Sequence, residues 1–279
     1  MLSRCPPYRP AAGAGTRSAH TKHGNRFGGC AAALLALALL QPAEAAEWSI
    51  TEAHLAYGRL DIPTFAGGGD SEFFIYTLQH ASGWKYGENF FFIDLLDSQN
   101  PGFQDFEFYG EWYPTFSLGK MTGRTVGRGI VSDIGLIWGF NWGADANFRK
   151  YLPGVRLALD LGGFAFANLD FTAYIDDSEG AASGGAPRHD NSYMIDFNFA
   201  RPFTIGKSNF SIEGHVEFIR SRKDEFGEKV ESWILAQPQF RWNPNDHLSV
   251  GLEYQFWLNK LGDGATDENT VQALLVWKF

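Results

Sequence analysis

The sequence predicts an all-β fold, a transmembrane antiparallel up-and-down β-barrel of about 12 strands with both termini periplasmic. Three observations predict it. The last nine residues alternate apolar and mixed side chains and end on Phe279. An apolar run of secretory type follows a basic leader. Between them, stretches of period-two alternation recur along the chain, and no run reaches the roughly 18 apolar residues of a spanning helix.

The leader comes first in chain order. Arg4, Arg9, Arg17, Lys22 and Arg26 precede the apolar stretch from Cys30 to Leu40, and Ala43, Glu44 and Ala45 follow it. This pattern assigns residues 1–45 to a cleaved signal peptide and residues 46–279 to a single barrel domain. Both cysteines, Cys5 and Cys30, fall in the leader, so a disulfide framework is excluded from the barrel. Cys30 also precedes the apolar run, the wrong order for lipid attachment. The leader holds five of the 23 basic and one of the 32 acidic residues, so the remainder is more acidic than the whole chain's net charge of −9. That balance opposes nucleic-acid binding.

Strands are expected near 48–60, 71–83, 88–96, 105–118, 130–142, 154–166, 168–176, 190–203, 208–222, 230–243, 246–259 and 268–279. Mean hydropathy is −0.22 while aromatics make up 16% of residues, a combination that suits a wet lumen inside an aromatic lipid-facing surface. Links after even strands are short, as at Ile205 to Ser208 and Asn243 to Asp246. Those after odd strands are longer and richer in Gly and acid, as at Asp61 to Asp70, Asp177 to His189 and Lys260 to Asp267. Short periplasmic turns with longer outer loops are the habit of bacterial barrels. Gly119 to Gly129 is an exception, a long link on the short side that fits an over-split strand or an inserted turn.

Period-two alternation also assigns faces. Val271, Ala273, Leu275, Trp277 and Phe279 share one face and Gln272 and Lys278 the other. Phe210, Ile212, Val216 and Phe218 oppose Ser211, Glu213, His215 and Glu217. Leu248, Val250, Leu252, Tyr254 and Phe256 oppose Ser249, Glu253, Gln255, Trp257 and Asn259. A carboxylate at the lipid midplane costs a few kcal/mol, which puts the acidic faces inside. Phe90, Phe91 and Phe92 show no parity. Alternation alone also allows a soluble lipocalin-like barrel with apolar residues inside; the leader and the terminal Phe279 favour the membrane form.

The candidate substrate-binding lining is Tyr109, Glu111, Tyr113, Asp133, Asp160, Asp170, Tyr174, Glu213, Glu217, Glu253 and Trp257, with Glu107 and Asp196 also inward. Ring faces beside carboxylates suit a small, flat, hydroxylated solute that stacks and donates hydrogen bonds. The plainer reading is that these residues only hydrate the lumen. Glu213, His215 and Glu217 share one face, but neighbours two apart on a strand stand about 7 Å apart and more often only water a lumen, so no metal and no cofactor is expected. His80-Ala81-Ser82 has the spacing of a strand-borne His-Ser pair, as in an outer-membrane phospholipase, yet it leads into a turn where a serine is ordinary. No catalytic residue and no enzyme activity is expected.

The stretch Phe106 to Gly123 resembles the Glu-x-x-Pro-Arg-Phe-Ser-x-x-Lys-Leu-Thr segment of the nucleoside-specific channel family, the Tsx-like outer-membrane porins. Glu111, Pro114, Phe116, Ser117, Lys120 and Thr122 match it by position, and Thr115 stands where the family has Arg. Phe74 to Asp94, Asn168 to Phe203 and the terminal strand are similar to that family as well. The resemblance implies a monomeric twelve-stranded barrel through which nucleosides diffuse by weak aromatic and ionisable sites, with specificity altered by Thr115. The expected function is passive diffusion of small solutes across the Gram-negative outer membrane. The alternatives are a structural or surface-receptor barrel of little conductance and a less selective cation porin. Expected partners are outer-membrane lipid and lipopolysaccharide, nucleosides or similar small solutes, the barrel assembly machinery reading the strand that ends at Phe279, and phage or colicins at the outer loops.

Overall fold

A computed structural model describes residues 46–279; the expected signal peptide, residues 1–45, lies outside the described residues. Twelve antiparallel strands form one closed sheet. They are β1 (Trp48–Asp61), β2 (Asp70–Trp84), β3 (Gly87–Ser98), β4 (Asp105–Ser117), β5 (Val131–Gly143), β6 (Phe148–Leu159), β7 (Phe166–Asp176), β8 (Ser192–Ile205), β9 (Ser208–Ile219), β10 (Trp233–Ala236 with Gln239–Asn243), β11 (Leu248–Leu258) and β12 (Glu268–Lys278). Each pairs with its sequence neighbours, and β12 returns to β1 with Glu52 opposite Lys278 and Tyr57 opposite Ala273. Phe279 adds one more rung, its N–H donating to the Thr51 carbonyl at 3.0 Å. Closure leaves no unpaired edge to aggregate.

The faces follow the side-chain chemistry. Trp112, Leu136, Trp138, Phe171, Leu252, Val271 and Leu275 are exposed on the outside, whereas Arg241, Gln272, Glu268, Ser249 and Asp170 are buried inside. This inverts a soluble barrel and makes the outer surface lipid-facing. No helix among the described residues is long and apolar enough to cross a membrane; the strands do so.

Three local features depart from the expected pattern. Strand six starts at Phe148, ahead of the expected 154–166, and runs through Pro153 and Gly154. Gly154 is accommodated because β7 comes close: a Cβ there would stand 2.1 Å from the Phe171 carbonyl oxygen. The strand therefore ends at Leu159, and Asp160 is exposed in the following turn instead of lining the lumen. The long link after β4 contains a one-turn helix, α1 (Leu118–Thr122); the Ser117 hydroxyl accepts from Lys120 N–H at 2.9 Å, and Gly123 at φ 66° closes it.

Strand β10 is broken at Gln237 and Pro238, since proline has no N–H for the ladder. Gly214 on β9 faces the break at φ 144°, a conformation that suits glycine, and a Cβ there would lie 2.2 Å from the Gln237 carbonyl oxygen.

Candidate functional site

Inward positions of β3, β4, β5, β9, β10 and β11 bring the lumen groups together. Tyr113 Oη donates to Asn141 Oδ1 at 2.9 Å, Asn141 Nδ2 donates to Glu111 Oε1 at 2.8 Å, and the Tyr109 hydroxyl bonds the same carboxylate. Across the lumen, Trp233 Nε1 donates to Glu217 Oε1 at 3.1 Å. The His215 ring nitrogens lie 3.0 Å from Asp196 Oδ1 and 3.0 Å from Gln237 Oε1. Tyr113 on β4 and Trp257 on β11 both pack against the side-chain cluster that holds Trp233 of β10. Opposite walls of the barrel thus approach closely, and the bore is narrow.

Charge in this bore is unevenly compensated. Arg156 grips Asp170 through two bonds of 2.8 and 2.6 Å, and Arg241 contacts Glu52 at 3.1 Å and Glu213 at 3.3 Å. Among the described ion pairs none involves Asp94, Glu111, Glu217 or Glu253; their partners are neutral, as with Thr77 on Asp94 and Gln239 and Gln272 on Glu253. Acidic side chains therefore remain inside without a Lys or Arg partner.

The loop end of the lumen is apolar. Leu152, Tyr174, Met194, Ile219 and Trp233 from four strands and β10 form a buried cluster that Val230 joins from the link between β9 and β10, with Tyr113, Leu235 and Trp257 against it. That link folds into a short ribbon, Arg222–Lys223 pairing with Lys229–Val230. The Arg222 guanidinium lies 4.5 Å from the Trp233 ring and 5.1 Å from the Tyr174 ring, and its Nε donates to His189 Nδ1 at 3.2 Å. His189 N–H in turn reaches Asp176 Oδ2, which pairs with the buried Lys150 at 2.6 Å.

His189 is held down to about 4, first by burial, then by the cations Arg222 and Lys150. Beside it Arg222, lowered by burial, stays cationic. At the far side of the mouth Lys260 donates to the Asp61 carbonyl at 2.7 Å, pairs with Glu268 and sits 5.5 Å over the Trp257 ring.

The expected lining residues fall into three groups. Tyr109, Glu111, Tyr113, Tyr174, Glu217, Glu253 and Trp257 come together in the bore. Asp170 and Glu213 face inward and are tied to Arg156 and Arg241. Asp133 bonds the Ser117 hydroxyl and accepts from Gly119 N–H at 2.9 Å, so it supports α1, and Asp160 is outside the bore.

In the Glu213, His215, Glu217 row each side chain has its own partners: Ser211 and Arg241 for Glu213, Asp196 and Gln237 for His215, and Trp233 for Glu217. His80 and Ser82 lie on the outer face, where His80 Nδ1 is 2.8 Å from the Thr51 hydroxyl. Sequence reading missed Asp94, Asn141, Lys150, Trp233, Gln237 and Arg222. Asn141 was recoverable, since it alternates with the outward Trp138, Phe140 and Trp142.

No family model matches the chain, and no curated protein does. Solved structures do. The NanC porin is 11% identical, with 82% of this chain and 100% of that chain covered at a TM-score of 0.50. The KdgM porin is 10% identical over 81% and 99% of the two chains at 0.43, and the translocator domain of autotransporter NalP from Neisseria meningitidis 7% identical over 91% and 95% at 0.40. With the apolar exterior and polar interior already described, the likeness to NanC shows the fold, a closed antiparallel barrel of the outer-membrane porin type.

Proposed function

We propose that this barrel is a passive outer-membrane channel for small solutes, with nucleosides as the preferred class. One observation carries the reading: Tyr109, Tyr113, Trp233 and Trp257 share a narrow bore with Glu111, Glu217 and Glu253, carboxylates that no Lys or Arg neutralises. A base can lie against the rings while sugar hydroxyls donate to the acids. Weak contacts of this kind are what a diffusion channel needs, because a solute held too tightly would not leave. The resemblance of Phe106 to Gly123 to the nucleoside-specific family supports the same solute. With the longer loops outside, both termini lie on the periplasmic side.

Single-channel current through the refolded barrel in a planar bilayer tests it. Adenosine and thymidine should block the current saturably, and a sugar of similar size should not. Steady current without nucleoside block would replace the reading by a less selective cation porin, which the uncompensated acids favour. Absence of current would favour a structural or receptor barrel, a reading supported by the apolar cluster at the loop end.

A further inference from the structure

A second feature lies outside the bore, at the loop-end rim between β8 and β9. An open groove of about 620 Å3 is lined by Tyr193, Arg220, Arg222, Lys223 and Lys229, with Asp190 as its acidic member. Arg220, Lys223 and Lys229 are exposed, whereas Arg222 turns inward to the ring cluster. Lys229 is paired with Glu231 at 2.7 Å, so of the groove's three exposed cations Arg220 and Lys223 are the two without an ion pair among the described residues. In so acidic a chain, cations gathered at one groove call for a partner of opposite charge.

The position of the groove fixes what that partner is. Tyr193 is exposed on the lipid-facing side and packs against outward Phe218 with ring centres 6.1 Å apart, so hydrocarbon reaches this level. Arg220 then lies over the Tyr193 ring at 5.7 Å, with its charge at the edge of that apolar face. Aromatic rings mark the interface of a bilayer, and cations just beyond them meet headgroups. A soluble anion has no use for the aromatic floor, whereas an amphiphile uses both parts.

We propose that this groove docks the phosphate-bearing headgroup of an outer-leaflet lipid, with Arg220 and Lys223 meeting the phosphate and the Tyr193–Phe218 face receiving the first acyl segment. Tyr193 fixes the height of the headgroup, and Asp190 disfavours a second phosphate in the groove. The site rests on the membrane-spanning reading and not on conduction, so an inert barrel would still carry it.

Native mass spectrometry of the detergent-solubilised barrel, titrated with phosphorylated lipid A, tests the site. Wild type should retain one lipid, and Arg220→Gln with Lys223→Gln should weaken retention roughly thirtyfold, following the usual contribution of two basic side chains at an anionic surface. Arg201→Gln removes a cation near the opposite rim and should bind as wild type does. Equal retention of dephosphorylated lipid, equal binding by the double variant, or an equal loss in Arg201→Gln would overturn the proposal. Inorganic phosphate binding as tightly as the lipid would overturn it too. Should the double variant not fold, Lys223→Gln alone reads the same effect at roughly fivefold.

Discussion

His189 holds the ribbon between β9 and β10 by accepting from Arg222 Nε, a role only its neutral ring can fill. Its folded value of about 4 lies below the ordinary 6.5, so the unfolded or undocked chain takes up the proton first. Docking stability is therefore complete above pH 6.5, falls as pH drops through the interval to about 4, and is lower by up to about 3 kcal/mol at its end. Hydrogen exchange over residues 222–230, corrected for intrinsic rates, should show protection at pH 7 declining toward pH 4.5. His189→Gln, which keeps an acceptor but does not titrate, should flatten the profile; a wild-type profile already flat would remove the latch. Among the bore residues, Glu217 is the more telling substitution. Glu217→Gln keeps a partner for Trp233 Nε1 but removes an ionisable group from the bore, so cation selectivity in reversal-potential measurements should fall. An unchanged reversal potential would mean that the acids do not see the permeating ion.

Strands β9 and β10 show how one element's irregularity depends on its neighbour. Gly214→Ala must move the Gln237 carbonyl and force a side chain into an unfavourable φ, which should cost about 2–4 kcal/mol in urea unfolding from lipid vesicles. A loss under 0.5 kcal/mol would show that the break at Pro238 relaxes freely. The ribbon is the second such case, since it puts Val230 and Arg222 into the lumen cluster. Deleting residues 223–229 and joining the ends should raise unit conductance about twofold or more if the ribbon narrows the mouth, and leave it unchanged if the bore is narrower below.

Most of these elements were legible because alternation is strong wherever one face is apolar and the other polar, as in β9 and β11. Where both faces are apolar the signal fails. Phe90 and Phe92 point inward and Phe91 outward, and only pairing with β2 and β4 decides it. At β6 the expected start at 154 falls six residues late, since Pro153 and Gly154 lie within the strand, where the close approach of β7 suits glycine. Arg222 and Val230 were beyond reach, because a loop's return into the lumen leaves no period in the sequence.

Taken as one body, the barrel sorts its side chains by medium: rings and aliphatic groups face out on every strand, and a hydrogen-bonded polar interior carries surplus acid. Closure of β12 onto β1 makes that sorting possible, since a lipid-exposed edge would strand a row of backbone donors and acceptors. The sorting also implies a depth profile. Leu252 sits at the centre of β11 with half its surface exposed, whereas Leu258 ends the same strand at the loop side. If lipid covers this face, Leu252→Arg should destabilise the vesicle-embedded protein by about 2–4 kcal/mol, and Leu258→Arg by about 0–1 kcal/mol. A soluble barrel would show no such gradient, because both side chains would already be in water. Reversible denaturant unfolding in lipid of each variant measures the two values, and equal costs would require that the outer face meet something other than a bilayer.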